Sequence, residues 1–201
     1  GIFGENLSRS QEKADLYFTG VEYYWGEIYM KHGLVSVIIP TYNRADLLRY
    51  CLDSLVAQTY TNWELIIVDD CSTDNTDDVV AAFKDERICY LKNEKNSGAA
   101  ISRNRALREA QGKWIAFLDS DDIWHPEKLE RQLSFMKEHG YAFTFTDYRI
   151  QLNGEWLPYI YTGPDVVDKR KMYNYCYFST ITVIYDREVV GLIQIEDLRK
   201  N

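Results

Sequence analysis

Glycine and proline are scarce. The 201 residues hold 11 Gly and 4 Pro, too few for a collagen-like chain, long linkers or bulk disorder. Cysteine is scarcer for its use: Cys51, Cys71, Cys89 and Cys176 form no C-x-x-C pair and no Cys/His metal spacing. The expectation is reduced, mostly buried thiols in a cytoplasmic protein. Positive charge is in the minority, with 23 Lys and Arg against 31 Asp and Glu and a formal net charge of −8. That argues against a nucleic-acid partner, whose phosphates must be neutralised, and against an anionic membrane surface. No apolar run approaches the roughly 20 residues of a membrane span. The runs Leu34–Pro40 and Leu65–Val68 have strand length. Also absent are a G-x-x-x-x-G-K-[ST] phosphate loop and a G-x-G-x-x-G after the first strand, which excludes a P-loop enzyme and a dinucleotide Rossmann domain. Residues 1–33 lack a basic start followed by an apolar core, and a chain that opens on Gly1 reads as a fragment.

Apolar and aromatic residues are plentiful: 46% hydrophobic and 14% aromatic, with 16 Tyr and 5 Trp. This suits one domain, or one domain with an appendage. Residues 1–33, aromatic-rich from Gln11 to Tyr29, read as a helical appendage, a linker or the remnant of a preceding region. They also offer a surface for homo-oligomerisation. Residues 34–201 read as the domain proper, cut short at its C-terminus.

From Leu34 the pattern is regular. Leu34–Ile39 is a β-branched run stopped by Pro40, a strand buried on both faces. Asn43 can cap a helix carrying Leu47, Leu48, Cys51, Leu52 and Leu55. Trp63–Val68 is a second strand, followed after Ser72 and Thr73 by a helix with Val79, Val80 and Phe83 inward. Arg87–Leu91 is a third strand. Ala99–Ala110 is a helix closed by Gly112, and Lys113–Leu118 a fourth strand. Pro126 opens a helix with Leu129, Leu133 and Met136 inward, closed by Gly140. Tyr141–Ile150 alternates like a strand, Asn153-Gly154 signals a hairpin to Glu155–Tyr161, and Ser179–Tyr185 is a last strand. The fold class expected is α/β: a mostly parallel sheet with helices on both faces and a small antiparallel hairpin region.

Ligands of open α/β sheets bind beyond the carboxyl ends of the strands. Those ends carry Pro40-Thr41-Tyr42-Asn43-Arg44, Asp69-Asp70, Asn93 to Gly98, and Asp119-Ser120-Asp121-Asp122. Five carboxylates on one rim repel one another unless something positive neutralises them. Asp119 and Asp121, two residues apart after a buried strand, suit Mg2+ or Mn2+ shared with substrate phosphates; alternatively Asp122 or Asp121 merely caps the Pro126 helix and the others are solvated. Asp70 and Tyr42 suit a base pocket, a carboxylate for an imide N–H and a ring to stack. Alternatively Asp69 or Asp70 caps the next helix and Tyr42 packs locally. Arg103 could help hold a diphosphate.

Four motifs together resemble the family 2 glycosyltransferases of the GT-A (Rossmann-like) fold. They are Val35-Ser-Val-Ile-Ile-Pro-Thr-Tyr-Asn-Arg44, Glu64-Leu-Ile-Ile-Val-Asp-Asp70, Asn96-Ser-Gly98 with Ser102-Arg-Asn104, and Phe117-Leu-Asp-Ser-Asp-Asp122. Their order, spacing and strand context agree over roughly residues 34–150. The resemblance implies a metal-assisted, inverting hexosyl transfer from a nucleotide-sugar donor, with UDP expected, to a hydroxyl of a glycan or glycoconjugate in polysaccharide or glycoprotein biosynthesis. It implies that Pro40, Thr41, Tyr42 and Arg44 line the nucleoside pocket. Asp70 would contact the base and Arg103 the nucleotide or its diphosphate. Asp119 would face the ribose and donor sugar, and Asp121 with Asp119 would hold Mn2+ or Mg2+. Asp69 is read as structural and Asp122 as ambiguous. Trp124, Pro126, Lys128 and Leu129 match the packing stretch that follows. The expected location is the cytoplasm or the inner face of a membrane.

The catalytic base is less legible. Glu196-Asp197 follows Gly191 sooner than the family's acidic motif does, so Asp197 is one candidate and a residue beyond Asn201 the other. Lys169-Arg170-Lys171 with Tyr173, Tyr175 and Tyr177 form an acceptor-side loop or a solvated one. The alternative function is a non-catalytic nucleotide-sugar-binding or assembly module of a larger transferase. A phosphotransferase with an aspartyl nucleophile would carry its D-x-D after the first strand, whereas here it follows the fourth.

Overall fold

The run of β-branched residues after Leu34 makes the central strand of a six-stranded sheet. A computed structural model describes residues 2–3, 33–152, 154–167 and 178–196. Within them the elements are β1 (Ile2–Phe3), β2 (Val35–Thr41), α1 (Ala45–Val56), β3 (Trp63–Asp69), α2 (Thr76–Ala82), β4 (Ile88–Lys92), α3 (Ala99–Glu109), β5 (Trp114–Phe117), α4 (Lys128–His139), β6 (Phe143–Thr144), β7 (Arg149–Leu152), β8 (Glu155–Trp156), β9 (Ile184–Asp186) and α5 (Arg187–Val190). A 3-10 turn, Thr180–Thr182, precedes β9.

The large sheet has the order β4-β3-β2-β5-β9-β6. β2, β3, β4 and β5 are parallel. β9 runs antiparallel to both β5 and β6, so β6 points the same way as β5. Strand order reverses at β2: the chain adds β3 and β4 on one side of it and then returns to add β5 on the other. A crevice is left between the β2 and β5 ends. The predicted parallel sheet, two-sided burial and hairpin are all present. β7 pairs with β8 through Gly154, at φ +84°, and with β1 on its other edge.

Alternate residues of each strand face two separate cores. Val35, Val37, Ile39, Leu65 and Ile67 pack with Leu48, Leu52 and Leu55 of α1 and with Leu129, Leu133 and Met136 of α4. Ile38, Ile66, Val68, Ile115 and Phe117 pack with Ala106 and Leu107 of α3. Two-sided burial is why β2 and β3 lack the polar alternation of a half-exposed strand.

Several expectations need correcting. Pro40 does not stop β2, which runs on through Thr41. Ile38 turns its carbonyl to Leu118, and Thr41 turns its carbonyl to Asp70 on the β3 side. Pro40, two residues after Ile38, therefore faces the β5 side, where the ladder ends at Ile38↔Phe117 and no donor is needed. Tyr141–Ile150 is two strands, and Ser179–Tyr185 begins as the 3-10 turn. Asn43 does not cap α1. It sits at φ +49°, and the N–H of Ala45 is met instead by Asp74 Oδ2 at 3.1 Å. Gly140 closes α4 in the left-handed conformation as predicted, but Gly112 does not close α3. It lies against β2, where its N–H donates to Ser36 Oγ at 2.7 Å. The aromatic segment Gln11 to Tyr29 and the loop Lys169 to Tyr177 lie outside the described residues.

A Cβ on Gly112 would meet Leu34 O, Ser36 N and Ser36 Oγ, each at 2.7 Å. Backbone cannot yield as a side-chain tip does. Gly112→Ala is therefore expected to cost about 1–3 kcal/mol, read as a lower urea midpoint with unchanged m.

Candidate functional site

Parallel strands bring the ends of β2, β3 and β5, and beyond them β6, to one rim. At the end of β3 stands Asp70, 3% exposed. Its Oδ1 accepts from Asn93 Nδ2 at 2.8 Å and from Ser97 N at 2.8 Å, and its Oδ2 accepts from Gly98 N at 2.6 Å. Burial pushes its pKa up, but the hydrogen bonds of Ser97, Asn93 and Gly98 outweigh it and hold the carboxyl below its ordinary value. The Asn96-Ser97-Gly98 motif is thereby explained. Gly98 has φ +94°, a conformation that glycine adopts without strain, and that turn aims two successive N–H groups at one carboxylate. Asn93 is a hub that sequence reasoning missed. It also reaches Ser102 Oγ at 3.0 Å and receives Arg105 at 2.7 Å. Its position directly after β4 was the only signal.

Asp69 is structural, as expected. Its Oδ1 accepts from Ser72 N and Ser72 Oγ at 2.9 and 2.5 Å, and its Oδ2 from Tyr90 OH at 2.8 Å. Neither Asp69 nor Asp70 caps α2; Asp74 Oδ1 accepts from Thr76 Oγ1 at 2.6 Å. Asn43 N donates to Ser72 Oγ and Thr73 N to Asn43 Oδ1, which stitches the loops after β2 and β3 together. Asn43 and Cys71, at φ +49° and +69°, are the non-glycine residues with positive φ among those described, and both follow strands at this rim.

Of the four residues predicted from the first motif, Pro40 and Thr41 are buried within β2, and Tyr42 (44% exposed) and Arg44 stand open. The Thr41 hydroxyl is buried with no partner. Arg44 Nε lies 3.9 Å from Asp121 Oδ2, across the crevice between the β2 and β5 ends. Arg103, from α3, meets Asp119 Oδ1 at 2.5 Å. Lys92 lies 3.4 Å from Asp69. The rim acids are thus largely answered by the chain's own donors and cations. Neither Asp121 nor Asp122 caps α4; the N–H of Leu129 in its first turn donates instead to Gln58 Oε1 at 3.0 Å. Cys51 Sγ lies 3.4 Å from Asp119 O. Burial, with Asp122, Asp119 and Asp121 nearby, pushes its thiol pKa well up, so it packs rather than reacts.

Among the described residues no group of three or more His, Cys, Asp or Glu could hold a metal ion alone. By residue type, half-exposed Asp121 and Asp119 match the one or two carboxylates that Mg2+ or Mn2+ would take together with phosphate oxygens and water. That chemistry fits, provided Asp119 is shared with Arg103. On the opposite side, Asn104 clamps Ile195: Nδ2 donates to Ile195 O at 2.7 Å and Ile195 N donates to Asn104 Oδ1 at 2.8 Å. Asn104, the last residue of the Ser102-Arg-Asn104 motif, therefore ties α3 to the stretch leading to Glu196. Asp197 lies outside the described residues. Trp124 Nε1 donates to Ile181 O at 3.1 Å, and Lys128 Nζ sits 3.9 Å over the Trp124 ring. Burial drives the Lys128 pKa well down.

A doubly wound sheet with an acidic strand-end crevice defines a nucleotide-binding α/β domain. The family described as "Glycosyl transferase family 2" matches residues 36–191. The chain is 44% identical over 169 residues, 83% of its length, to Bacillus subtilis TuaG, named as a teichuronic acid biosynthesis glycosyltransferase. It is 41% identical over 79% of its length to Escherichia coli WfgD, named as a UDP-Glc:alpha-D-GlcNAc-diphosphoundecaprenol beta-1,3-glucosyltransferase. It spans 67% and 62% of those two relatives. The crystal structure of S. aureus TarS 1-349 with UDP-GlcNAc superposes with a TM-score of 0.64 at 31% identity, covering 78% of this chain and 46% of that one. The chain belongs to glycosyltransferase family 2, and its fold is that of these GT-A structures. No helix among the described residues is long and apolar enough to cross a membrane.

The lowered Asp70 pKa makes a signed prediction. Its stabilisation is complete above the ordinary carboxylate value of about 4 and is lost as pH falls through the lower folded value. Asp70→Asn should therefore be less stable than the parent at pH 6, with the gap narrowing towards pH 3 in urea titrations.

Proposed function

We propose that the chain is the donor-binding and catalytic domain of a hexosyltransferase acting on a UDP-sugar and a glycan-bearing acceptor, with inversion at the anomeric carbon. One observation carries this reading. Tyr42 and Arg44 follow β2, and Asp119 and Asp121 follow β5, the strands that flank the point where strand order reverses, and Arg44 and Asp121 approach to 3.9 Å. An exposed ring, two carboxylates and two arginines at that crevice suit a uridine diphosphate: stacking on Tyr42, and charge contacts from Arg103 and Arg44. Support comes also from the relatives, since the TarS crystal structure is a complex with UDP-GlcNAc and WfgD is named for UDP-Glc and a diphosphoundecaprenol-linked GlcNAc.

In this reading Asp121, with Asp119, would hold Mn2+ or Mg2+, which supplies positive charge against the departing diphosphate. Arg103 fixes the Asp119 carboxylate, and Asp70 fixes the loop that carries Ser97 and Gly98. The acceptor hydroxyl attacks from the face opposite the nucleotide and gives its proton to a carboxylate. Asp197 remains the candidate within this sequence. Among the described residues Cys51, Cys71 and Cys89 form no disulfide, which suits a reducing cytoplasm.

Asp121→Asn should weaken UDP binding in the presence of Mn2+ at least about tenfold by titration calorimetry. Stability should stay within about 0.5 kcal/mol, since the side chain is exposed. Unchanged affinity would sink the assignment. UDP binding without transfer or donor hydrolysis would identify a non-catalytic module instead.

A further inference from the structure

Beyond the donor crevice the same rim offers a second cavity, at the β6 end of the sheet. Its volume is about 210 Å³, and its walls include Phe135 and Gln132 of α4, Phe145, Thr146 and Asp147 after β6, and Phe178. Phe145 and Phe178 stack with centroids 4.9 Å apart. Cavities of roughly 300–1,000 Å³ take drug-sized ligands, so this one suits a single ring.

Two buried polar atoms on its wall have no partner. Gln132 is 1% exposed. Its Nε2 donates to Thr182 O and Thr144 Oγ1, both at 3.0 Å, while its Oε1 has no partner. The Thr182 carbonyl can only accept, which fixes the amide orientation and leaves Oε1 as a pure acceptor. Thr146 Oγ1 is likewise buried and unpartnered. An orphaned buried acceptor costs free energy unless a ligand or water meets it. Asp147, 7% exposed, adds a carboxyl whose pKa is raised by burial and by Asp165, against a hydrogen bond from Gly163. Among the described residues no Lys or Arg lines the cavity, and Asp147 and Asp165 on its wall disfavour an anionic ligand such as a phosphate.

We infer that this cavity seats one neutral pyranose ring of the acceptor saccharide. The ring's apolar face would lie on the phenylalanines. Its hydroxyls would donate to Gln132 Oε1 and Thr146 Oγ1 and pair with Asp147. The inference rests on the transferase reading above. The connection to the donor crevice is physical: Trp124 follows the acidic motif and bonds Ile181 O, while Gln132 bonds the next carbonyl, Thr182 O.

The test is saturation-transfer NMR on the whole chain, with millimolar methyl α-D-glucopyranoside and its 2-acetamido-2-deoxy analogue as probes, choline as a comparator, and UDP titrated separately. At least one glycoside should bind. Thr146→Val, which removes a hydroxyl that makes no bond in the chain, should weaken it at least fivefold with no fall in melting temperature and no change in UDP affinity. Asp147→Asn should do the same as an independent variant. Glycoside binding equal in both variants overturns the inference, as does choline binding without glycoside. UDP binding with no glycoside signal also overturns it while leaving the donor reading intact; loss of UDP binding by the parent chain strikes the donor reading itself.

Discussion

Much of the rim hangs on a pair of buried carboxylates at the end of β3. Asp69 turns inward to Ser72, Tyr90 and Lys92, and Asp70 turns to Asn93, Ser97 and Gly98. Burying a charge is costly unless hydrogen bonds replace the lost water. Both residues meet that condition with backbone and side-chain donors from loops that would otherwise be loose. The loops after β3 and β4 are thus shaped by the need to solvate two carboxylates from within. Ser72 passes the constraint on to the loop after β2, by donating to Asp69 and accepting from Asn43.

This changes what the acidic balance means. Ten of the 31 acids lie in Asp69–Glu86 and Asp119–Asp122, and their sequence crowding suggests a rim in need of a cation. In the folded chain Arg103, Arg44 and Lys92 stand against Asp119, Asp121 and Asp69. A diphosphate entering the crevice would exchange partners with these ion pairs rather than fill a field of bare charge. The Arg44–Asp121 pair is long and exposed, so it resists such an exchange little. The Arg103–Asp119 pair is short and half-buried, and it orients both groups before a ligand arrives.

The periodic elements were legible because hydrophobic spacing is local: β2, β3, α1 and α4 lie where their apolar residues recur. Family membership was legible because four motifs fall at strand ends in a fixed order. The errors share one cause, since each depended on a partner distant in sequence. Pro40 is tolerated because β5 stops short of it, Asn43 is displaced as a cap by Asp74, and Gly112 serves a contact with Ser36 rather than a helix end. The role of Asn93, and that of Asn104 within its motif, escaped notice because an asparagine after a strand or within a helix has no distinctive pattern until its partners, Asp70 and Ile195, are in place.

Two hydrogen bonds to successive carbonyls tie the region beyond the acidic motif to the approach to β9. Trp124 takes Ile181 O and Gln132 takes Thr182 O, so both ends of the segment from the D-x-D loop into α4 grip the same 3-10 turn before β9. Lys128 lies between them, its buried amine over the Trp124 ring. A buried ammonium would be costly, and the well-lowered pKa lets the group sit there with less charge to stabilise. β9 in turn pairs with both β5, which carries Asp119 and Asp121 beyond its end, and β6, which leads to Thr146 and Asp147. The donor crevice and the aromatic cavity are therefore joined through one strand and one turn. A shift of that turn would have to disturb the Trp124 and Gln132 hydrogen bonds together.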